Sequence, residues 1–267
     1  PSWPFPLPPA ERAFLLEQRL ASRAHKNIAY DPLRHRVSGY LKCAVDQANR
    51  LREVLAGFSR TATCWLGANL PQYALGWQLD RVSLRPEEEA TRKLRLKARN
   101  DLLHVDAFPT RPTNGARILR LFLNINPSEP RVWVTSDPFP VLLARYGAQA
   151  GLPGSREPWF RGLREHVLRV FRLARHRSPY DAFMLRLHDF LKANDDFQQR
   201  CAKRLWHFPP GSAWLVITDT ASHAVLRGRY ALEHSYFLDP KTLALPDESP
   251  AALLERACGL SVLDRAA

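Results

Sequence analysis

The amino-acid sequence predicts an α+β fold with a mainly β core: a double-sheet jelly roll carrying a helical N-terminal region and a helical insert. Three observations lead there. Two blocks of short segments rich in Val, Ile, Leu, Phe and Trp, punctuated by Pro, Gly and Asn, lie on either side of a long helical stretch. The strands do not alternate with helices as βαβ units, which argues against a doubly wound parallel sheet. A jelly roll, in contrast, can carry a helical insert in a loop between two strands.

Residues 1–10 are too Pro-rich for regular structure and read as an extended surface segment. Residues 11–23 read as a helix with Phe14, Leu15, Gln18 and Ala21 on one partly apolar face. A second helix is expected over 41–58, a short strand over 61–66, and a charged helix or extended arm over 87–98. The first β block comprises 102–107, 117–125 and 131–135. A short helix over 137–152, closed by Gly151 and Pro153, leads into helical residues 158–200, broken around Ser178-Pro179. After Pro209-Pro210-Gly211 the β pattern returns at 213–218, 223–226 and 229–237. One domain is expected: 1–95 as helical support, 96–150 and 205–240 as the β core, 151–204 as the insert and 241–267 as a tail.

A composition of 45% hydrophobic and 24% charged residues describes a folded globular chain. No apolar run approaches the roughly 20 residues that cross a bilayer, and Pro1 to Pro9 lack the basic start and apolar core of a signal peptide. The cysteines Cys43, Cys64, Cys201 and Cys258 are scattered without a Cys-x-x-Cys, so they read as reduced thiols rather than a zinc site or disulfide framework. A net charge of +13 calls for a densely anionic partner: nucleic acid, an anionic membrane or a phosphorylated substrate.

His104 and Asp106 carry the most chemistry. One residue apart in an apolar strand-like segment, they are expected on one side of the strand, where an imidazole and a carboxylate can grip one metal ion. A carboxylate between Val105 and Ala107 would be costly to bury without a charge partner or metal. His223 is the candidate third ligand. Two His and one carboxylate leave open positions on ferrous ion, the arrangement of non-heme iron oxygenases. A lone His-x-Asp arises often by chance, and a single His in a strand is more often packed or exposed than ligating. The remaining histidines lack such spacing and read as surface or structural residues.

His104-Val105-Asp106, the stretch Gly115 to Asn126, and His223 followed by Arg229-Tyr230-Ala231-Leu232 together resemble the Fe(II)/2-oxoglutarate oxygenase superfamily. The fuller string from Leu103 through Asp106-Ala107-Phe108-Pro109-Thr110-Arg111-Pro112 to Pro127, with Pro130-Arg131-Val132-Trp133, resembles the narrower family of Kdo hydroxylases. These oxidise the sugar 3-deoxy-D-manno-octulosonic acid (Kdo) of bacterial lipopolysaccharide. The resemblance implies a double-stranded β-helix barrel and a metal site of His104, Asp106 and His223. It also implies Fe(II), 2-oxoglutarate and O₂ as cofactor and cosubstrates, with succinate and CO₂ released. The target it implies is C3 of a Kdo residue on Kdo2-lipid A, at the cytoplasmic face of the inner membrane.

The distal carboxylate of 2-oxoglutarate then needs a buried cation, best an Arg. Arg120, inside a core strand where an unpaired charge is expensive, ranks ahead of Arg229, which follows His223 closely. Asn124 is a further candidate donor to 2-oxoglutarate, or else caps a strand end. Arg117 and Arg131 either bind the sugar carboxylate or make salt bridges at the barrel rim.

Arg161, Arg164, Arg169, Arg172 and Arg175 recur along one face of the insert, with Leu163, Val167, Val170 and Ala174 opposite. This basic face is either a solvated surface or a contact for lipid phosphates and an anionic inner-membrane leaflet, with Trp159 and Phe160 at its start. Two other functions compete. A nucleic-acid demethylase of the same superfamily would also use basic residues, but no zinc finger, helix-turn-helix or stacking motif supports readout, and no nucleic-acid partner is expected. A non-catalytic cupin-like binding module has little reason to keep iron ligands at this spacing.

Overall fold

A computed structural model describes residues 7–22, 25–42, 44–152 and 177–264. The described elements run α1 (Pro9–Glu17), β1 (Ile28–Asp31), β2 (Arg36–Ser38), α2 (Val45–Asn69), α3 (Pro71–Ala74), β3 (Gln78–Arg85), β4 (Arg117–Asn124), β5 (Arg131–Pro138) and α4 (Phe139–Tyr146). They continue as α5 (Pro179–Ala193), α6 (Asp195–Arg200), β6 (Arg204–Phe208), β7 (Ala213–Ile217), β8 (Ala221–Arg227), β9 (Ala231–Leu238) and α7 (Pro250–Cys258). A six-stranded sheet in the order β2-β1-β3-β9-β4-β7 pairs antiparallel throughout, and a three-stranded sheet, β6-β5-β8, is antiparallel as well. This is the jelly-roll-type α+β fold.

Three of the four apolar clusters among the described residues lie outside this pair of sheets, and the fourth, Phe122, Trp133, Trp214 and Val225, lines its interior. Strand β4 is buried along its whole length, so both its faces are covered. Leu119, Leu121 and Leu123 point away from the barrel and pack, with Leu232, Tyr236 and Leu238 of β9, under Leu55, Phe58, Ala62 and Leu66 of α2. On the far side, Val134 of β5 and Ala224 of β8 pack against Phe139 and Leu142 of α4, Phe183 and Leu187 of α5, and Leu254 of α7. The alternate residues of the same strands, among them Arg120 and Phe122 of β4, Glu233 of β9, and Trp133 and His223, face the barrel interior.

Several sequence expectations shift. Residues 61–66 continue α2 rather than forming a strand, because Ala62 and Leu66, one turn apart, both dock on β4 and β9. The region 1–95 is more than helical support: β1, β2 and β3 make up half of the large sheet. The alternation of β3 is interrupted by a register shift between Leu79 and Val82, which hides it from a period-two reading. Residues 87–98 form two single-turn 3₁₀ segments within an otherwise irregular stretch. The C-terminal stretch is no tail, since α7 and Val262 belong to a core, and β6 also went unread. The basic face over 161–175 lies outside the described residues.

Candidate metal centre

The segment around His104 does not form a ladder strand. His104 makes a single antiparallel bridge to His223, with His104 N–H donating to the His223 carbonyl (3.1 Å) and His223 N–H donating back (2.9 Å). Gln198 of α6 stands in for a neighbouring strand. Its side-chain oxygen accepts from Leu103 N–H and its amide donates to the Leu103 carbonyl, both at 2.9 Å. Asp106 N–H is anchored on the Thr218 carbonyl at 2.9 Å. The chain is therefore extended but held by side chains and isolated bonds, and the side-by-side placement of His104 and Asp106 survives: His104 Nε2 lies 3.6 Å from Asp106 Oδ1.

One potential ligand atom from each of His104, Asp106 and His223 lies within 4.8 Å of the others, and all three residues are buried. Each imidazole is oriented by the same device. His104 Nδ1 lies 2.7 Å from the Leu102 carbonyl and His223 Nδ1 lies 3.0 Å from the Ala221 carbonyl, each two residues upstream. A carbonyl only accepts, so each Nδ1 carries the proton and each Nε2 keeps its lone pair for a metal. Burial pushes both imidazoles below the usual histidine range, which keeps them neutral. Burial alone would raise the Asp106 carboxyl, but the Arg120 guanidinium beside it holds it well below the usual range. Two neutral imidazole nitrogens and one carboxylate oxygen on one wall of the barrel fit a divalent non-heme iron.

Behind the triad runs a chain of alternating charges. Asp106 Oδ2 accepts from Arg120 Nη1 at 2.6 Å, and Arg120 Nη2 also pairs with Glu233. Glu233 Oε2 accepts from Arg85 Nε at 2.8 Å, and Glu89 bridges Arg85 (3.7 Å) and Arg131 (3.5 Å). Arg131, only 1% exposed, also donates to the Gly228 carbonyl at 2.8 Å. Gly228 must be glycine: its φ of +127° disfavours side chains, and a Cβ would stand 2.9 Å from Arg131 Cγ. Three carboxylates and three guanidiniums thus neutralise one another inside the barrel. Burial opposes the charge on Glu233, yet Arg120 and Arg85 win and pull its carboxyl down to about 2.

The polar wall faces an aromatic one. Trp133 stacks on His223 at 5.4 Å, and its ring also meets Phe122 at 4.7 Å. The Arg120 guanidinium lies over the same Phe122 ring at 5.4 Å. Arg120 Nε and Trp133 Nε1 are buried donors with no hydrogen-bond partner among the described residues. On the other flank, the His188 ring of α5 lies 4.8 Å from the His104 ring, with its Nδ1 2.7 Å from the Val105 carbonyl.

Over its residues 1–261 the chain matches the family model described as 3-deoxy-D-manno-oct-2-ulosonic acid (Kdo) hydroxylase. The chain belongs to the Kdo hydroxylase family. Solved structures agree. One is the Kdo hydroxylase KdoO, a non-heme Fe(II) alpha-ketoglutarate-dependent dioxygenase, in complex with alpha-ketoglutarate and Fe(III). It is 34% identical, with a TM-score of 0.84 over 97% of this chain and 84% of that one. The same enzyme with cobalt(II) is 34% identical and gives a TM-score of 0.86 over 98% and 86% of the two chains. Its complex with succinate and Fe(III), 33% identical, gives 0.83 over the same shares. Comparison with curated proteins gives no match.

Of the other residues singled out from the sequence of this family member, Arg120 alone joins the triad directly. Arg117 pairs with Asp219 at 2.7 Å and with the Thr220 hydroxyl, fastening the β7–β8 turn. Arg229 lies over the Tyr230 ring and reaches the Pro86 carbonyl at 3.3 Å. Asn124 corrects one expectation: its amide nitrogen donates to the Glu129 and Phe208 carbonyls, both at 3.0 Å, and its oxygen accepts from Asn126 N–H. That is a strand-end role, with no donor left for a cosubstrate. Arg85, Glu89, Glu233, Trp133 and His188 were not read as site residues. Arg85 and Glu233 lie 148 positions apart, so no spacing in the sequence links them.

Proposed function

We propose that this chain is an Fe(II)- and 2-oxoglutarate-dependent dioxygenase that hydroxylates a Kdo residue, at C3, on Kdo2-lipid A. The observation that carries the reading is the pair of imidazoles with Nδ1 fastened to a carbonyl and Nε2 presented beside Asp106, in a member of the Kdo hydroxylase family. His104, Asp106 and His223 would hold the iron. Iron with 2-oxoglutarate and O₂ supplies the oxidising power for hydroxylation, converting the cosubstrate to succinate and CO₂.

The protein's own residues supply placement. Arg120 Nη1 fixes Asp106 so that its other oxygen faces His104. Arg120 Nε and Trp133 Nε1, both against Phe122, are unmatched buried donors, and an anionic carboxylate is the ligand group that would satisfy them. We assign them to the distal carboxylate of 2-oxoglutarate. Because the internal charge chain is already balanced, a divalent iron and a dianionic cosubstrate can enter together without leaving net charge buried. The aromatic wall of Phe122, Trp133 and Trp214 keeps that side of the site dry.

A net charge of +13 suits an enzyme that meets a phosphorylated lipid at the cytoplasmic face of the inner membrane, and we extend the proposal to peripheral contact there. No described helix is long and apolar enough to cross a membrane. The test is mass analysis of Kdo2-lipid A after incubation with Fe(II), 2-oxoglutarate and O₂. The lipid should gain one oxygen atom on its Kdo portion, and an unchanged lipid would refute the assignment.

A further inference from the structure

Most cations around the metal centre have an acidic partner. Arg120, Arg85 and Arg131 share the internal chain, Arg111 pairs with Asp80, Arg92 with Glu87, Lys97 with Asp189 and Arg99 with Asp101. Lys26 and Lys192 differ. Neither makes a salt bridge to any described residue. Lys192 is only 2% exposed, yet its Nζ has one described hydrogen bond, to the Lys97 carbonyl at 3.1 Å. It sits four residues after His188 on α5, so it shares the helix face that brings His188 against His104. Lys26 precedes β1 and is partly buried. Its carbonyl is held by Arg92 at 3.1 Å.

Both ammonium groups feel the charge of Asp106 and lie close enough for Lys26 to act on Lys192. Burial is the main cause that pulls each down to about 8, so both are charged at neutral pH but short of a counter-ion. Nearby carboxylates act on both only through space, and a buried ammonium close to a second one, with no carboxylate in salt-bridge contact among the described residues, is unfavourable unless a ligand supplies the anion. Iron and 2-oxoglutarate cannot, since together they are neutral and the internal chain is balanced without them.

We infer that Lys26 and Lys192 form a cradle for the carboxylate of the sugar substrate beside His104 and His188. The inference rests on the Kdo hydroxylase reading and assigns the specificity of that same site. Kdo is an acid sugar, and its carboxylate adjoins the ring carbons to be oxidised. Gripping that group would turn the target C–H toward the metal and select acid sugars over neutral ones.

The experiment is calorimetry on the protein loaded with Fe(II) and 2-oxoglutarate without O₂, titrated with a Kdo glycoside and with its carboxyl methyl ester. The parent should prefer the free acid by about tenfold or more, one ion pair's worth of discrimination. Lys192→Met and Lys26→Met should each erase most of that preference while 2-oxoglutarate affinity stays unchanged. Lys26→Met, on a partly exposed loop, keeps the test open if Lys192→Met does not fold. Variants that retain the parent's preference overturn the cradle. So does a loss confined to 2-oxoglutarate affinity, which would hand the lysines to the cosubstrate. If the parent binds neither glycoside nor ester, the Kdo reading itself falls, and the cradle with it.

Discussion

Arg120 holds two carboxylates with its two Nη atoms, and one of them is a proposed metal ligand. Removing the guanidinium strands Asp106 and Glu233 as unpaired buried charges, which by analogy costs about 3–5 kcal/mol. Arg120→Leu should therefore lose stability and raise the KM for 2-oxoglutarate steeply. Arg229→Leu, whose side chain lies on Tyr230 and Pro86, should leave that KM near the parent's. Initial-rate kinetics on both proteins decide it: a large rise in the Arg229 variant alone would move the anchor there. Glu233 gives a pH signature. Its folded carboxyl, at about 2, is below the ordinary 4.5, so its stabilising contribution is complete above that ordinary value and disappears as pH falls toward 2. Acid denaturation of Glu233→Gln should show a shallower loss of stability over that range, and an unchanged acid limb would contradict the pairing. His104 and Asp106 were legible from their short-range spacing and Arg120 from the expense of a charge in an apolar strand, whereas His223, far along the chain, was legible from the family resemblance around it. Arg85 and Glu233 were not, because they meet from distant strands, and Glu89, in a 3₁₀ turn four residues after Arg85, was not, because a Glu in a charged stretch looks like a solvated one.

At the scale of elements, β4 and β9 were readable where their pairing is unbroken, whereas β3 was hidden by the bulge that interrupts it. The stretch 102–107 is instructive. Its residues look like a strand, yet a glutamine side chain completes the pairing that a strand would provide. Gln198→Leu removes that substitute and leaves the Leu103 N–H and carbonyl without their bonds, at a cost of about 1–3 kcal/mol for a buried group so stranded. The variant should melt earlier and bind Fe(II) more weakly, because His104 follows directly on Leu103. Equilibrium dialysis with iron and a thermal melt measure the two effects, and unchanged values in both would show that Gln198 does not set the ligand's position. Thr61, Thr63, Cys64 and Trp65 favour strands by residue type, but packing of Ala62 and Leu66 on the sheet decides for helix, an instance of tertiary contacts overriding propensity.

For the molecule as a whole, the larger cores lie outside the barrel, its interior holds an aromatic wall beside a balanced set of charges, and a surplus of positive charge remains. If that surplus brings the enzyme to an anionic lipid surface, added salt should reduce hydroxylation of lipid-embedded substrate, since screening shortens to about 8 Å at physiological ionic strength and further above it. Uncoupled 2-oxoglutarate turnover should change little over the same salt series. Equal salt dependence of the two rates would remove electrostatic membrane contact from the account. The claim to which every scale contributes is that His104, Asp106 and His223 run a 2-oxoglutarate-dependent oxidation of Kdo. Its most direct test is succinate release after anaerobic loading with Fe(II) and admission of O₂, with and without Kdo2-lipid A, for the parent and for His223→Ala. Release that is stimulated by the lipid and abolished in the variant is expected. Stimulation only by an alkylated oligonucleotide, or undiminished release from His223→Ala, would contradict it.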